Sequence, residues 1–214
     1  MHSRVSSTET LVRAFSSNPP KVWIQSSGAS LYPEMGPGSD MVEPTQYDSG
    51  YLSEVVQKWE AAASEIKPLV ERLVYLRTPM VLSGQGGALE KMNIPFKFGL
   101  GFPLGRGDQR VEWISIDDFL HAALWIMRTE SISGPVNMSS PHPESHLAFC
   151  KILAASQNRP CWPAVPKFLI PPMVREMLRE LSLRSYTAPP EKLLESGYKF
   201  KNPNLNEYFH ELFS

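Results

Sequence analysis

The sequence predicts an α/β protein: the second half of a doubly wound parallel sheet, with a small helical C-terminal cap. Three observations carry this expectation. Short runs rich in Val, Ile and Leu recur between amphipathic helical stretches, which is the order of βα units joined in parallel. The first run ends on small polar residues, as a buried strand does when its carboxyl end reaches a ligand-binding edge. Twenty prolines, concentrated around 160–203, cut the last part of the chain into short helices. With 214 residues, 42% of them hydrophobic and 20% charged, the chain has the composition of a globular domain.

Each element has a local reason. Residues 3–16 read as a helix with Val5, Leu11, Val12 and Phe15 on one face, stopped before Asn18-Pro19-Pro20. Lys21 to Ser27 is the first strand. Residues 28–50 form a long loop rich in Gly, Pro, Ser and Asp, a length that marks function or disorder. Ser53 to Lys67 is the clearest helix, with Val55, Trp59, Ala62 and Ile66 on one face and Pro68 as its stop. Arg72 to Arg77 is the second strand, continued by Thr78 to Leu82. Residues 83–87 make a flexible turn, and 88–98 read as a helix broken at Pro95.

Val111 to Ile116 alternates with period two and predicts a further strand. Asp117 is placed to cap a helix over 118–128. A short strand over 135–139 and a helix over 144–157 follow. Pro189-Pro190 before Glu191 and Gly197 after it frame a short helix, and Asn202-Pro203-Asn204 opens a terminal one carrying Leu205, Tyr208, Phe209 and Leu212. Two units are expected: residues 1–140 for the sheet and 141–214 for the helical cap.

Composition narrows the function. The 21 basic and 22 acidic residues give a net charge of −1 with no basic stripe, which speaks against nucleic acid and anionic membranes as partners. Two cysteines, Cys150 and Cys161, make no disulfide framework and match no zinc spacing, as expected of thiols in a reducing compartment. No apolar run approaches the ~18 residues of a membrane span. The absence of an apolar leader predicts a cytoplasmic protein. The first 20 residues, with Arg4, Arg13, seven Ser or Thr and one acid, leave a mitochondrial address as the alternative.

The densest glycine cluster is Gly99 to Gly107, where Gly101, Gly105 and Gly107 spell G-x-x-x-G-x-G. A phosphate cradle needs a strand before it and a helix starting on its last glycine. Here a Pro95-interrupted segment precedes and a strand follows, so the cluster reads as a substrate-side loop. Gly105 permits a tight turn, Arg106 can meet an anion and Trp113 can form an apolar wall. His142 and His146 have i, i+4 spacing, but Pro143 lies between them and no third ligand is near, so no metal site is expected. Cys150 has no partner in sequence that would make it a nucleophile.

Several runs, in this order, resemble one family. They are Lys58-Trp59-Glu60, Arg77 leading to Val81-Leu82, Gly86-Gly87-Ala88-Leu89, Gly99-Leu100-Gly101 with Pro103-Leu104-Gly105 and Gly107, Trp113-Ile114 before Asp117-Asp118, and Glu191 to Phe200 before Pro203. Together they resemble the extended short-chain dehydrogenase/reductase superfamily, within it the nucleoside-diphosphate-sugar epimerase-like family 39U. The resemblance covers nearly the whole chain and implies a Rossmann-like sheet, a nicotinamide cofactor (NADP) and a carbonyl or sugar-like small-molecule substrate. It also implies a C-terminal domain of unknown function.

Residues 1–140 then correspond to a truncated Rossmann-like NAD(P)-binding domain with a substrate-loop insertion. The family's glycine-rich N-terminal part is not found in this sequence. The expectation is therefore the C-terminal portion of an NAD(P)-dependent epimerase or oxidoreductase, cofactor-incompetent as this chain alone. The alternative is a non-catalytic isoform or incomplete gene product acting as a binding or regulatory partner, self-associating through its exposed sheet edge.

The resemblance assigns roles to individual residues. Ser27 stands where the superfamily's catalytic serine would polarise a substrate oxygen. Lys58 matches the lysine of Tyr-x-x-x-Lys, which binds the nicotinamide ribose, but Glu54 stands in the tyrosine position. Tyr51 is seven residues from Lys58, about 10 Å along a helix, too far to substitute. Arg77, Thr78 and Pro79 at the end of the second strand are expected to touch cofactor. Tyr32, Gly105, Arg106 and Trp113 are expected to line the substrate pocket.

Overall fold

A computed structural model describes residues 2–35, 46–105, 107–163 and 185–214. Its centre is a parallel three-stranded sheet in the order β1 (Val22–Gly28), β2 (Arg72–Thr78), β6 (Gly134–Asn137). Strand period decides which side chain meets which helix. Leu73 and Tyr75 face α1 (His2–Phe15), packing with Val12, Ile66 and Trp23. Val74, Leu76 and Val136 face the other way, onto Ala122 and Ile126 of α4 (Ile116–Arg128). Helices thus cover both faces, as the near-continuous apolar character of β2 requires.

A second parallel pair, β3 (Met80–Leu82) with β5 (Trp113–Ser115), sits beyond the end of β2. An antiparallel pair, β4 (Arg110–Val111) with β7 (Glu144–Ser145), has no counterpart in the sequence reading. Leu82, Trp113, Phe149 and Leu153 form a second core with Phe209. This core joins α3 (Ala88–Lys97), α5 (His146–Ala155) and the terminal helix α7 (Leu205–Phe213). The remaining helices are α2 (Tyr51–Ser64) and α6 (Glu191–Glu195); Gly197, just past α6, has a φ of 82°, the left-handed turn expected of it.

Three local expectations are corrected. The alternating run at 111–116 is not one strand: β4 and β5 belong to different pairs, and every residue from Val111 to Ser115 is buried. Its alternation records polar residues with buried partners, not a wet face. Helix α3 runs through Pro95 and ends two residues later; the proline gives up its own bond to the Lys91 carbonyl, and beyond it Leu100 N–H closes onto the Pro95 carbonyl at 2.8 Å. The cap of α4 is Ser115, not Asp117, its Oγ accepting from Asp118 N–H at 3.0 Å.

Two buried charges fix the ends of α4. The Arg72 guanidinium donates to the carbonyls of Ile126, Met127, Thr129 and Ile132 at 2.7–3.0 Å, satisfying a helix C-terminus that would otherwise lose its partners. At the other end, Asp118 is wholly buried and accepts from Tyr198 OH, Lys201 N–H and Asn202 N–H. The chain after α6 is thereby tied to the sheet.

Candidate functional site

Period two along the strands also brings the polar ends of β1, β2 and β6 together. Ser27, Arg77 and Asn137 lie at the carboxyl ends of the three strands, and the first two point at α2. Glu60 of α2 meets them. It accepts from Ser27 Oγ at 2.6 Å and from Arg77 Nε and Nη2 at 3.0 Å each. Arg77 Nη1 donates to Tyr32 OH at 3.2 Å and Nη2 to Tyr47 OH at 2.8 Å. Its guanidinium lies 5.5 Å and 5.2 Å from the two ring centres. Tyr32 OH donates to Asn137 Oδ1 at 2.7 Å, and Asn137 Nδ2 to the Pro189 carbonyl at 3.0 Å. Burial pulls the Arg77 pKa down, but the bonds to Glu60 and Tyr32 outweigh it and the net shift is upward.

This is a closed, charge-assisted lock. Arg77 is 3% exposed and Ser27 5%. The Ser27 proton is directed at a carboxylate, so in this arrangement the hydroxyl offers a ligand its lone pairs and not its hydrogen. Polarising a substrate carbonyl would require Glu60 to give up that proton.

Of the residues singled out by sequence, Ser27, Tyr32 and Arg77 come together. Lys58 does not join them. Its side chain is 53% exposed and pairs with Glu54 at 2.6 Å across one helix turn. Beside Glu60, α2 presents Val56, 3% exposed, to the end of β1; a Cβ built on Gly28 would stand 3.4 Å from its Cγ2. Thr78 and Pro79 are half-buried at the end of β2, with Thr78 Oγ1 donating to the Leu76 carbonyl at 3.1 Å.

Trp113 is a core residue and not a pocket wall. It has no exposed surface, donates its indole N–H to the His142 carbonyl at 3.1 Å and stacks on Tyr208 at 6.1 Å. Gly105 has a φ of 63°, the left-handed backbone that suits glycine. Arg106 lies outside the described residues.

The glycine cluster is a loop packed on α5. Leu104 N–H donates to His146 Nδ1 at 3.3 Å, and Leu147 N–H to the Gly107 carbonyl at 2.9 Å. A Cβ on Gly101 would run into the Phe96 ring. Burial holds His146 down at about 4, so its ring stays neutral and accepts from Leu104. Cys150 lies beside it, Sγ 3.8 Å from Nε2, and burial pushes the thiol up to about 12, which keeps it protonated and a poor nucleophile.

Sequence reasoning missed Glu60, Asn137, Tyr47 and Glu112. A signal existed for Glu60: it falls on the same face of α2 as Val56 and Ala63, and an acid on an apolar face announces a buried partner. Glu112, 3% exposed, has one oxygen accepting from Ala188 N–H at 3.3 Å, while Oε2 has no hydrogen-bond partner among the described residues. Burial raises its carboxyl to about 7.

No protein-family model matches the chain. Among curated proteins it is similar to an epimerase family protein of Staphylococcus aureus (strain N315), 32% identical over 216 residues. The match spans 99% of this chain and 71% of that protein. Among solved structures it is similar to the human epimerase family protein SDR39U1 (isoform 2) with NADPH. The TM-score is 0.86 and the identity 26%, over 99% of this chain and 72% of that one. It shares the fold of Thermus thermophilus UDP-glucose 4-epimerase in complex with NAD, with a TM-score of 0.77 at 14% identity, over 98% and 68% of the two chains.

Proposed function

Because the chain belongs to the epimerase family, we propose that it forms the substrate-side part of an NAD(P)-dependent epimerase or oxidoreductase-like protein. We further propose that these 214 residues alone bind dinucleotide weakly. A nicotinamide coenzyme supplies hydride chemistry when bound, and the substrate class is a carbonyl or sugar-like small molecule. Thr78 and Pro79 would face the nicotinamide end at the carboxyl edge of β2, where ligands bind in open α/β sheets. Arg77, Tyr32, Glu60 and Asn137 would hold that edge rigid from beneath.

The observation that carries the weak-binding reading is the fate of the glycines. Among the described residues no strand of the three-stranded sheet runs through a glycine turn into an α-helix N-terminus, the unit that cradles a pyrophosphate. β3 does pass through Ser83–Gly87 into α3, but it belongs to the separate pair with β5, and Leu212 of the terminal helix packs on that turn, its Cδ1 2.7 Å from where a Cβ on Gly84 would stand. The Gly99–Gly107 loop follows α3 and leads into β4. Among the described residues, Thr78 and Pro79 suit the nicotinamide end of a dinucleotide better than any group suits its pyrophosphate. The chain spans 71% of the staphylococcal relative and 72% of the human protein with NADPH. Titration of NADPH into the purified chain, followed by its fluorescence, tests the proposal.

A second reading, a non-catalytic binding or regulatory partner, is favoured by one observation. The helix positions facing the end of β1 are Val56 and Glu60, while Lys58 is paired with Glu54 on the outside. In that reading the outer edge of β1, which pairs with no strand among the described residues, is the interface. A concentration-dependent change in mass by light scattering supports it, and a monomer at all concentrations removes self-association.

A further inference from the structure

A helix end and a neighbouring turn meet in one projecting surface far in character from the polar lock. On α3 the spacing i, i+3, i+7 sets Lys91, Ile94 and Phe98 on one side. Ile94 is 54% exposed and Phe98 76%. Gly99 then turns the backbone with a φ of 69°, and Leu100 follows at 62% exposure. Trp162 reaches the same turn from the chain after α5. Its backbone N–H donates to the Gly101 carbonyl at 2.9 Å and its indole N–H to the Gly99 carbonyl at 2.8 Å. The residue remains 55% exposed.

Cations border these side chains. Lys91 and Lys97 on α3 are exposed, as is Arg159 next to Pro160, whose ring lies beside Gly99. Lys151 on α5 is near enough for its charge to act on Cys161, the neighbour of Trp162. The acid that α3 contributes, Glu90, sits in its first turn, away from the Phe98 end.

We propose that this surface, with Phe98, Leu100 and Trp162 at its centre and lysine and arginine around them, docks onto an anionic lipid bilayer. Each of the three central residues projects with more than half of its surface exposed. A fluid headgroup boundary accepts such projections, whereas a protein partner needs a matched pocket for each. The Trp162 N–H is already bonded, so its ring can leave water without stranding a polar group. The cationic stems can lie along the apolar patch with their charges level with phosphate and serine headgroups. The near-neutral charge of the whole chain conceals this grouping, which forms only when α3 and the turn at Cys161–Trp162 fold together.

Flotation of the full chain with lipid vesicles tests the proposal. One set is phosphatidylcholine; the other contains roughly one third phosphatidylserine. The chain is expected to float with the anionic set at least about tenfold more than with the neutral set, and to release as salt rises. The variant Phe98→Ser with Leu100→Ser should lose the binding, and Lys97→Glu should weaken it, both with an unchanged thermal midpoint because the positions are exposed. Equal flotation with both sets, or unaltered flotation of the double variant, overturns the proposal. So does a dimer of the wild type that the double variant abolishes, which would assign the surface to a second copy of the chain.

Discussion

Replacing Glu60 with Ala removes the carboxylate that holds Arg77 and Ser27. The Arg77 side chain is 4% exposed and that of Glu60 15%, so this is a buried pair. Breaking one by removing a single partner costs about 3–5 kcal/mol, because the remaining charge stays desolvated without compensation. Urea slopes for small proteins are about 1–3 kcal/mol/M and rise with size. A chain of 214 residues belongs near the upper end, so the midpoint should fall by about 1–2 M. Lys58→Ala is the control. Its exposed pair with Glu54 contributes about 0.3–0.5 kcal/mol, a shift too small to resolve as more than a few tenths molar. The double change Glu60→Leu with Arg77→Met should be milder than Glu60→Ala alone, since an apolar pair needs no charge partner. Urea unfolding followed by far-ultraviolet circular dichroism measures all three. A Glu60→Ala midpoint within about 0.3 M of wild type, or a larger loss from Lys58→Ala, would refute the assignment of Glu60 as the organiser of this edge.

Two further perturbations read other parts of the structure. Asp118→Ala strands the N–H groups of Lys201 and Asn202 and the Tyr198 hydroxyl, each otherwise bonded at 2.8–3.0 Å to that carboxylate. A loss of about 3 kcal/mol or more is expected, with hydrogen exchange rising first at residues 198–202. Two buried groups also give opposite pH slopes. His146 is lowered to about 4, so its contribution is complete above pH ~6.5 and is lost as pH falls toward 4. Glu112 is raised to about 7, so its contribution is complete below pH ~4.5 and is lost as pH rises toward 7. The wild type should be nearly flat between these limits, Glu112→Gln should gain stability with rising pH, and His146→Phe should lose it. Parallel profiles for the two variants would contradict both placements.

The fold was legible where periodicity and punctuation agree. The β1 and β2 runs, the α2 face through Val55, and Gly197 after α6 all appear where the sequence puts them. The stretch 110–116 was not legible. Its polar residues have different reasons: Glu112 meets Ala188 from 76 residues away, and Ser115 caps α4 through Asp118 N–H. The same separation hid the site. Ser27 and Arg77 could be placed at strand ends, but their common partner Glu60 lies 33 and 17 residues away; its place on the Val56–Ala63 face of α2 signals a buried partner without saying which. Lys58 was assigned through the resemblance, without the tyrosine that would precede it by four residues. A helix that packs its Val56 side onto the sheet turns Lys58 to water, and two residues are enough to do so at 100° each.

The central proposal is that this chain carries the substrate-side part of an epimerase-family protein and alone binds dinucleotide weakly. Fluorescence titration of NADPH into the purified, folded 214-residue chain tests it most directly. The account predicts no saturation in the micromolar range and no change in unfolding midpoint at those concentrations. Saturable micromolar binding, accompanied by a rise in that midpoint, would contradict it.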